Sequence, residues 1–239
     1  MEPILKKEFT VTENHVDRFG RVKPSMLLYF VQEAAGSHCS LLQVDYATLS
    51  HRHLFWAVSR NRVQVTRLPR LGEKILVETW PMPTTRVAYP RSVVAYDENG
   101  SELFRSISLW VLMDDRTREM ILPGKSGVIV DGTLTGKELT VPRAIATRPL
   151  ANSRLCTVGY SLLDRNGHMN NTRYMDWVDD LLESDFHKDH PVQEFTVCYM
   201  NEAREGDKVN LCYELSDGPV LTVDATREND RIFSAQIQY

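Results

Sequence analysis

The sequence predicts an α+β fold built from two copies of one unit, each a long helix laid against antiparallel strands. Three observations carry that expectation. A six-residue motif recurs at a fixed offset. Each copy of the motif is followed by apolar residues at helical spacing, and each helical stretch by short strand-like runs between turn residues. The length of 239 residues agrees, since two α+β units of about 110–130 residues each are of ordinary domain size.

The motif comes first in each copy. Asp17-Arg18-Phe19-Gly20-Arg21-Val22 aligns without gaps on Asp164-Arg165-Asn166-Gly167-His168-Met169, 147 positions later. Next comes the helix. Leu27, Phe30, Val31, Ala34 and Ala35 recur at i, i+3, i+4, i+7 and i+8, the spacing of one buried face, and Tyr174, Trp177, Val178, Leu181 and Leu182 do the same. Ser25 is the expected N-cap of the first helix, and Asn171 or Thr172 of the second.

The strands follow. Phe55–Val58 and Val63–Val65 precede Arg70-Leu71-Gly72-Glu73-Lys74-Ile75, while Phe195–Cys198 precedes Arg204-Glu205-Gly206-Asp207-Lys208-Val209. That turn motif repeats at an offset of 134, which implies a shorter helix-to-strand connection in the second copy. Val93–Tyr96, a turn at Asn99-Gly100 and Phe104–Met113 complete the first copy; Leu221–Thr226, a turn at Asn229-Asp230 and Ile232–Tyr239 complete the second. Pro142, Pro149, Gly136 and several threonines mark a linker, so the expected units are 1–131 and 153–239, with 132–152 between them. Edge strands of the two copies are free to pair with each other.

Composition narrows the function classes. Hydrophobic residues make up 42% and charged residues 25%, enough apolar content for a sizeable core. A net charge of −4 and the lack of a basic, aromatic-interleaved run argue against nucleic acid as partner. No apolar run approaches the ~18 residues of a membrane span, and the first residues lack the apolar stretch of a secretory signal, so a cytoplasmic protein is expected. Cys39, Cys156, Cys198 and Cys212 are scattered without ligand spacing, which predicts free thiols and no metal. Charge is uneven: residues 1–145 carry +3 and residues 146–239 carry −7, a hint that an acidic partner docks on the first half.

A duplicated unit acts as its own control, because residues common to both copies serve the fold and polar residues in one copy are candidates for chemistry. Asp164 has a counterpart in Asp17, but Asn166 stands opposite Phe19, His168 opposite Arg21 and Glu202 opposite Leu68. In an extended segment Asp164, Asn166 and His168 alternate onto one side. A histidine transfers protons near neutral pH, a helix start offers backbone N–H groups to an oxyanion, and Glu202, expected on a neighbouring strand, could orient or deprotonate water. Asp-Arg-Asn-Gly is equally good turn chemistry, and Asn170-Asn171 could simply start the helix.

Asp164-Arg165-Asn166-Gly167-His168-Met169-Asn170-Asn171, with Tyr174 and Trp177, resembles the active-site motif of fatty acyl-ACP thioesterases of the plant plastid and bacterial type, where ACP is acyl carrier protein. Arg67-Leu68-Pro69-Arg70-Leu71-Gly72-Glu73, Thr79-Trp80, Trp110, Asp114 and Arg116-Thr117-Arg118 extend the resemblance over nearly the whole chain. It implies two tandem hot-dog domains, each a long central helix wrapped by an antiparallel sheet. It implies hydrolysis of acyl-ACP to free fatty acid and holo-ACP without a cofactor. It also implies catalytic positions at Asp164, Asn166, His168 and Glu202. Plant members commonly carry cysteine after the strand glutamate; here the residue is Ala203, which leaves attack by water, or a transient anhydride on Asp164.

On the same resemblance the first unit supplies the acyl pocket, including its small residues Ala34, Ala35 and Gly36, with Met26, Tyr29, Phe30 and Phe55 as candidate lining. Arg60, Arg62, Arg67 and Arg70 are the candidate docking surface for acidic ACP, and homodimerisation is allowed but not determined. The alternatives are a thioesterase acting on acyl-CoA, a hot-dog hydratase or dehydratase, and a non-catalytic acyl-binding protein. The hydratase motif usually has Pro after the Asn and His one residue further on, where this chain has Gly167 between Asn166 and His168.

Overall fold

Pro24 opens the long helix of the first half. The computed structural model describes residues 3–239, and in it α1 runs Pro24–Leu41 with Lys23 as N-cap. Proline suits that first position because its φ is preset and its missing N–H would have no partner there. Ser25, the expected cap, is instead inside the helix and buried. Leu27, Phe30, Val31 and Ala34 face the core as their spacing requires, each of the larger three contributing about 1.5–3 kcal/mol by burial.

The second copy departs from the expected long helix. Its helix α4 covers only Tyr174–Asp179, so Leu181 and Leu182 lie in a turn before a separate α5, Ser184–Asp189. Asp179, Asp180 and Glu183 crowd the helix's C-terminal end, where the unpaired carbonyls already concentrate negative charge. At the matching positions α1 carries Gln32, Glu33 and Gly36, with one acid in place of three, and that helix continues to Leu41. The N-cap of α4 is Arg173; Asn170 Oδ1 accepts from the Thr172 N–H at 3.0 Å and shapes the turn before it.

The strands are β1 (Leu5–Thr10), β2 (Leu54–Val65), β3 (Lys74–Pro81), β4 (Tyr89–Tyr96), β5 (Glu102–Asp114) and β6 (Met120–Ile121) in the first half. The second half has β7 (Asn152–Thr157), β8 (Glu194–Tyr199), β9 (Lys208–Leu215), β10 (Val220–Arg227) and β11 (Asp230–Gln238). They form one antiparallel sheet in the order β1-β3-β4-β5-β2-β8-β11-β10-β9-β7, with β6 beside β5. The halves join edge to edge where β2 pairs β8, from Arg60 opposite Cys198 to Gln64 opposite Glu194. The two runs expected within residues 55–65 are one strand, bent by a bulge between Val58 and Arg60. Short helices α2 (Tyr46–Ser50) and α3 (Pro123–Ser126) flank the first half. Among the described residues no helix is long and apolar enough to cross a membrane.

Residues 127–151 contain no helix or strand and run as a strap along the sheet. Glu138 accepts from Trp80 Nε1 at 3.0 Å, Thr140 Oγ1 from Arg62 Nη1 at 2.8 Å, and the Pro142 carbonyl from Arg60 Nη1 at 3.1 Å. Arg148 then reaches Glu214 in the second half.

Candidate active site

The repeated motif folds the same way in both copies. Asp17 Oδ1 accepts the N–H groups of Phe19 (2.8 Å) and Arg21 (2.9 Å), and Asp164 Oδ1 accepts those of Asn166 (2.8 Å) and His168 (3.3 Å). Gly20 at φ 73° and Gly167 at φ 76° provide the left-handed residue each turn needs. The segment is therefore a tight turn and not the extended strand expected from alternation. Its cause is an aspartate that closes the backbone on itself.

The turn presents His168 to Glu202, with Nε2 to Oε2 at 3.1 Å. Two backbone ties hold them together: His168 bridges Arg204, and the Met169 N–H donates to the Ala203 carbonyl at 2.8 Å. Glu202 lies three residues beyond the end of β8 and not on a strand; the connection to β9 bends away before reaching it. Its other oxygen, Oε1, pairs with Arg118 Nη2. In the first copy the same three places hold Asp17, Arg21 and Leu68, and Arg21 is committed to Asp17 Oδ2 at 3.1 Å and to the His187 carbonyl at 2.7 Å. That copy has no dyad.

A cavity of about 260 Å³ opens beside the site, lined by Asn166 and Arg165 at one side. From α1 it takes Gln32, Ala35, Gly36 and Cys39, a stripe at i, i+3, i+4 and i+7; from the sheet it takes Phe55, Trp56, Tyr89 and Trp110. Of the expected lining residues, Phe55 is there. Met26 and Phe30 belong to the packed core instead, and Tyr29 stacks beside His15 at 5.8 Å. The reason is helical phase: residues 26 and 30 point toward the sheet, while 32, 35, 36 and 39 point into the cavity. Arg91, buried in the cavity wall, donates to His38 Nδ1 (3.1 Å) and Thr79 Oγ1 (3.2 Å). Burial pushes the neighbouring Cys39 thiol up, away from a nucleophilic thiolate.

The arginines expected to dock a carrier are mostly engaged. Arg60 and Arg62 hold the strap, and Arg62 also pairs with Glu194 at 2.8 Å. Arg67 pairs with Glu73 at 2.8 Å and Asp97 at 3.8 Å. Arg70 is exposed and, among the described residues, has no carboxylate within salt-bridge reach. A charge count along the sequence does not register partners brought in from residues 194 and 140.

Two family models cover most of the chain. The acyl-ACP thioesterase N-terminal domain matches residues 2–122, and the acyl-ACP thioesterase C-terminal domain matches residues 150–238. The chain belongs to the acyl-ACP thioesterase family. Its curated relatives include the dodecanoyl-[acyl-carrier-protein] hydrolase of Cinnamomum camphora, 26% identical over 83% of this chain and 56% of the relative. The palmitoyl-acyl carrier protein thioesterase of Gossypium hirsutum is 24% identical over 90% of this chain and 55% of the relative. This chain thus spans about half the length of the curated relatives it matches. Among solved structures, an acyl-ACP thioesterase from Bacteroides thetaiotaomicron superposes with a TM-score of 0.84 at 24% identity, covering 99% of this chain and 97% of the other. The 12:0-ACP thioesterase of Umbellularia californica gives 0.84 at 23%, covering 100% and 97%. The fold is that of these thioesterases, two tandem hot-dog units sharing one sheet.

Within this thioesterase fold, Ala203 is fully buried and its carbonyl ties down Met169, so the position after Glu202 holds a packed methyl group. Cys198 is buried in β8 with its Sγ 4.0 Å from the Arg143 carbonyl. In the sequence Arg118 is only one member of an Arg-Thr-Arg run; the signal for its role, a contact spanning 84 residues, exists only in three dimensions.

Proposed function

We propose that the protein hydrolyses acyl thioesters carried on acyl carrier protein, releasing the fatty acid and the carrier's free thiol. The observation that carries this reading is the His168–Glu202 pair, 3.1 Å apart and present in one copy only, set beside an apolar-walled cavity. The unit up to residue 131 would hold the acyl chain and the unit from 153 the chemistry.

His168 Nε2–H donates a hydrogen bond to Glu202 Oε2, which keeps the proton on Nε2 and leaves Nδ1 as the ring's proton acceptor. Nδ1 takes a proton from water as the water oxygen attacks the thioester carbonyl. Collapse of the tetrahedral intermediate breaks the C–S bond, and the imidazolium returns its proton to the departing sulfur. Water is thereby split between acid and thiol, with no other reactant needed.

Asn166, exposed at the cavity side, donates one amide N–H to Asp164 Oδ2 at 3.5 Å and offers the other to the carbonyl oxygen. Most backbone N–H groups of the turn and helix start are engaged elsewhere: those of Asn166 and His168 with the Asp164 side chain, Gly167 with the Asp164 carbonyl, Met169 with Ala203, Asn170 with Leu162, Thr172 with the Asn170 side chain and Arg173 with the Asn170 carbonyl. Asp164 spends Oδ1 on closing the turn, as Asp17 does in the non-catalytic copy, which supports a positioning role over an anhydride-forming one.

The test is thiol release from a panel of acyl-ACPs, with acyl-CoAs and enoyl-CoAs in competition. His168→Ala and Glu202→Gln are expected to lose at least roughly 100-fold in kcat. Equal rates in the variants, or hydration of enoyl-CoA in place of thiol release, would refute the reading. Arg70→Glu is expected to slow acyl-ACP turnover at low salt and not at high salt if Arg70 meets the acidic carrier.

A further inference from the structure

Arg118 performs no step in the reaction above, yet its surroundings are built to hold it. Asp114 Oδ1 accepts the N–H groups of Arg116 and Thr117, both at 2.9 Å, and the Arg118 N–H donates back to the Asp114 carbonyl at 3.0 Å. Arg118 itself sits at φ 61°, a left-handed backbone that side-chain-bearing residues rarely adopt. The turn after β5 is therefore wound so that this one side chain leaves the first half and reaches the second. Its guanidinium lies over the Phe55 ring, 4.9 Å from the centroid, and its Nη2 meets Glu202 Oε1.

Glu202 needs such a partner. Its side chain is 39% exposed and lies in a connection outside any strand, where a stem of two methylenes would sample several rotamers. One oxygen must stay on His168 Nε2 for the imidazole to keep its tautomer. An ion pair this exposed contributes little to stability, so its effect is to be sought in the chemistry. The planar fork of arginine can stack on Phe55 and point an N–H at the carboxylate together, which an ammonium cannot reproduce.

We propose that Arg118 is a positioning residue for the reaction: anchored on Phe55, it fixes one oxygen of Glu202 so that the other stays on His168. This rests on the hydrolytic reading of the site. It makes the active site a joint product of both halves, with the first half contributing more than a place for the acyl chain.

The experiment is a double-mutant cycle on the full chain. It uses acyl-ACP and, in parallel, an acyl-N-acetylcysteamine thioester that has no carrier. Arg118→Met is expected to lower kcat roughly 10- to 100-fold on both substrates with KM within about twofold. Arg118→Lys should recover only part of the loss. In a Glu202→Gln background Arg118→Met should change kcat by less than about twofold, because the group it positions is already gone. A merely structural arginine would lose the same factor in both backgrounds, and that result overturns the proposal. So does unchanged kcat in Arg118→Met, or a KM rise confined to the carrier-borne substrate, which would mark a docking residue. If Arg118→Met does not fold, Arg118→Lys in the same two backgrounds replaces it: a loss confined to the Glu202 background supports the proposal, and an equal loss in both overturns it. An unmodified protein that releases no thiol, or Glu202→Gln as active as the parent, overturns the hydrolytic reading and this proposal with it.

Discussion

Gly36 offers the sharpest test of the cavity as the acyl site. It lies inside α1, lines the cavity, and a Cβ built on it would meet nothing within 4 Å. Gly36→Leu would project a side chain about three carbons deep into the space where the chain is expected to lie. Each methylene kept from burial costs about 0.8 kcal/mol, so three displaced methylenes come to about 2.4 kcal/mol, a factor of roughly 60 in kcat/KM. Acyl-ACPs long enough to reach past residue 36 should lose that factor, while short chains lose little. Stability should move the other way, since glycine within a helix is worth about 0.5–1 kcal/mol less than alanine; Gly36→Ala should raise Tm. The assay is kcat/KM across chain lengths beside a thermal melt. A uniform loss at every length, or none, would refute the placement of the chain, and a raised Tm removes unfolding as the explanation.

Three further outcomes are expected. Gly167→Ala should cost about 1–2 kcal/mol from its left-handed backbone and lower kcat by displacing Asn166 and His168, whereas Gly20→Ala, at φ 73°, should cost the same in a melt and leave kcat alone. Asp179, whose Oδ1 is buried without a partner, has its carboxyl raised well above the usual range by burial and by Asp176 and Asp180. A raised acid pKa means that the native state holds its proton longer, so stability falls as pH rises through that range. Asp179→Asn should therefore raise Tm at neutral pH, by about 2–4 °C per kcal/mol gained, with the gain shrinking toward acid pH. Burial pushes the Glu138 carboxyl up, but the Thr135 N–H and hydroxyl and the Trp80 indole outweigh it and hold the group at about 2. Its contribution is full above the normal glutamate range near 4.5 and is lost as pH falls toward 2, so Glu138→Gln should lower Tm at pH 7 and match the parent near pH 2.

The two-copy fold was legible because its signals are local and doubled. Gly20 and Gly167, Gly72 and Gly206 all sit at positive φ in matched turns, and the aspartate before each of the first pair makes the same bonds. The His168–Glu202 pair was legible for the opposite reason: it breaks the match, with Arg21 and Leu68 in its place. The break after Asp179 was not, because an apolar period through Leu182 outweighs the acidic cluster when only spacing is read. Nor was the cavity lining. Apolar spacing marks the buried face of α1, and an acyl site takes the flank beside that face, where Gln32, Ala35, Gly36 and Cys39 leave room.

By itself, the sequence determined a duplicated α+β unit, the recurring Asp-Arg-x-Gly motif that carries Asn166 and His168, and the copy in which the chemistry is expected. Those follow from hydrogen bonds and backbone preferences that act over a few residues. Tertiary structure alone decided that Arg60 and Arg62 are occupied by the strap and Glu194, that Phe30 is core while Phe55 is cavity, and that Arg118 reaches Glu202. These depend on which surfaces meet when β2 pairs with β8, and a charge or ring acquires its partner only at that point.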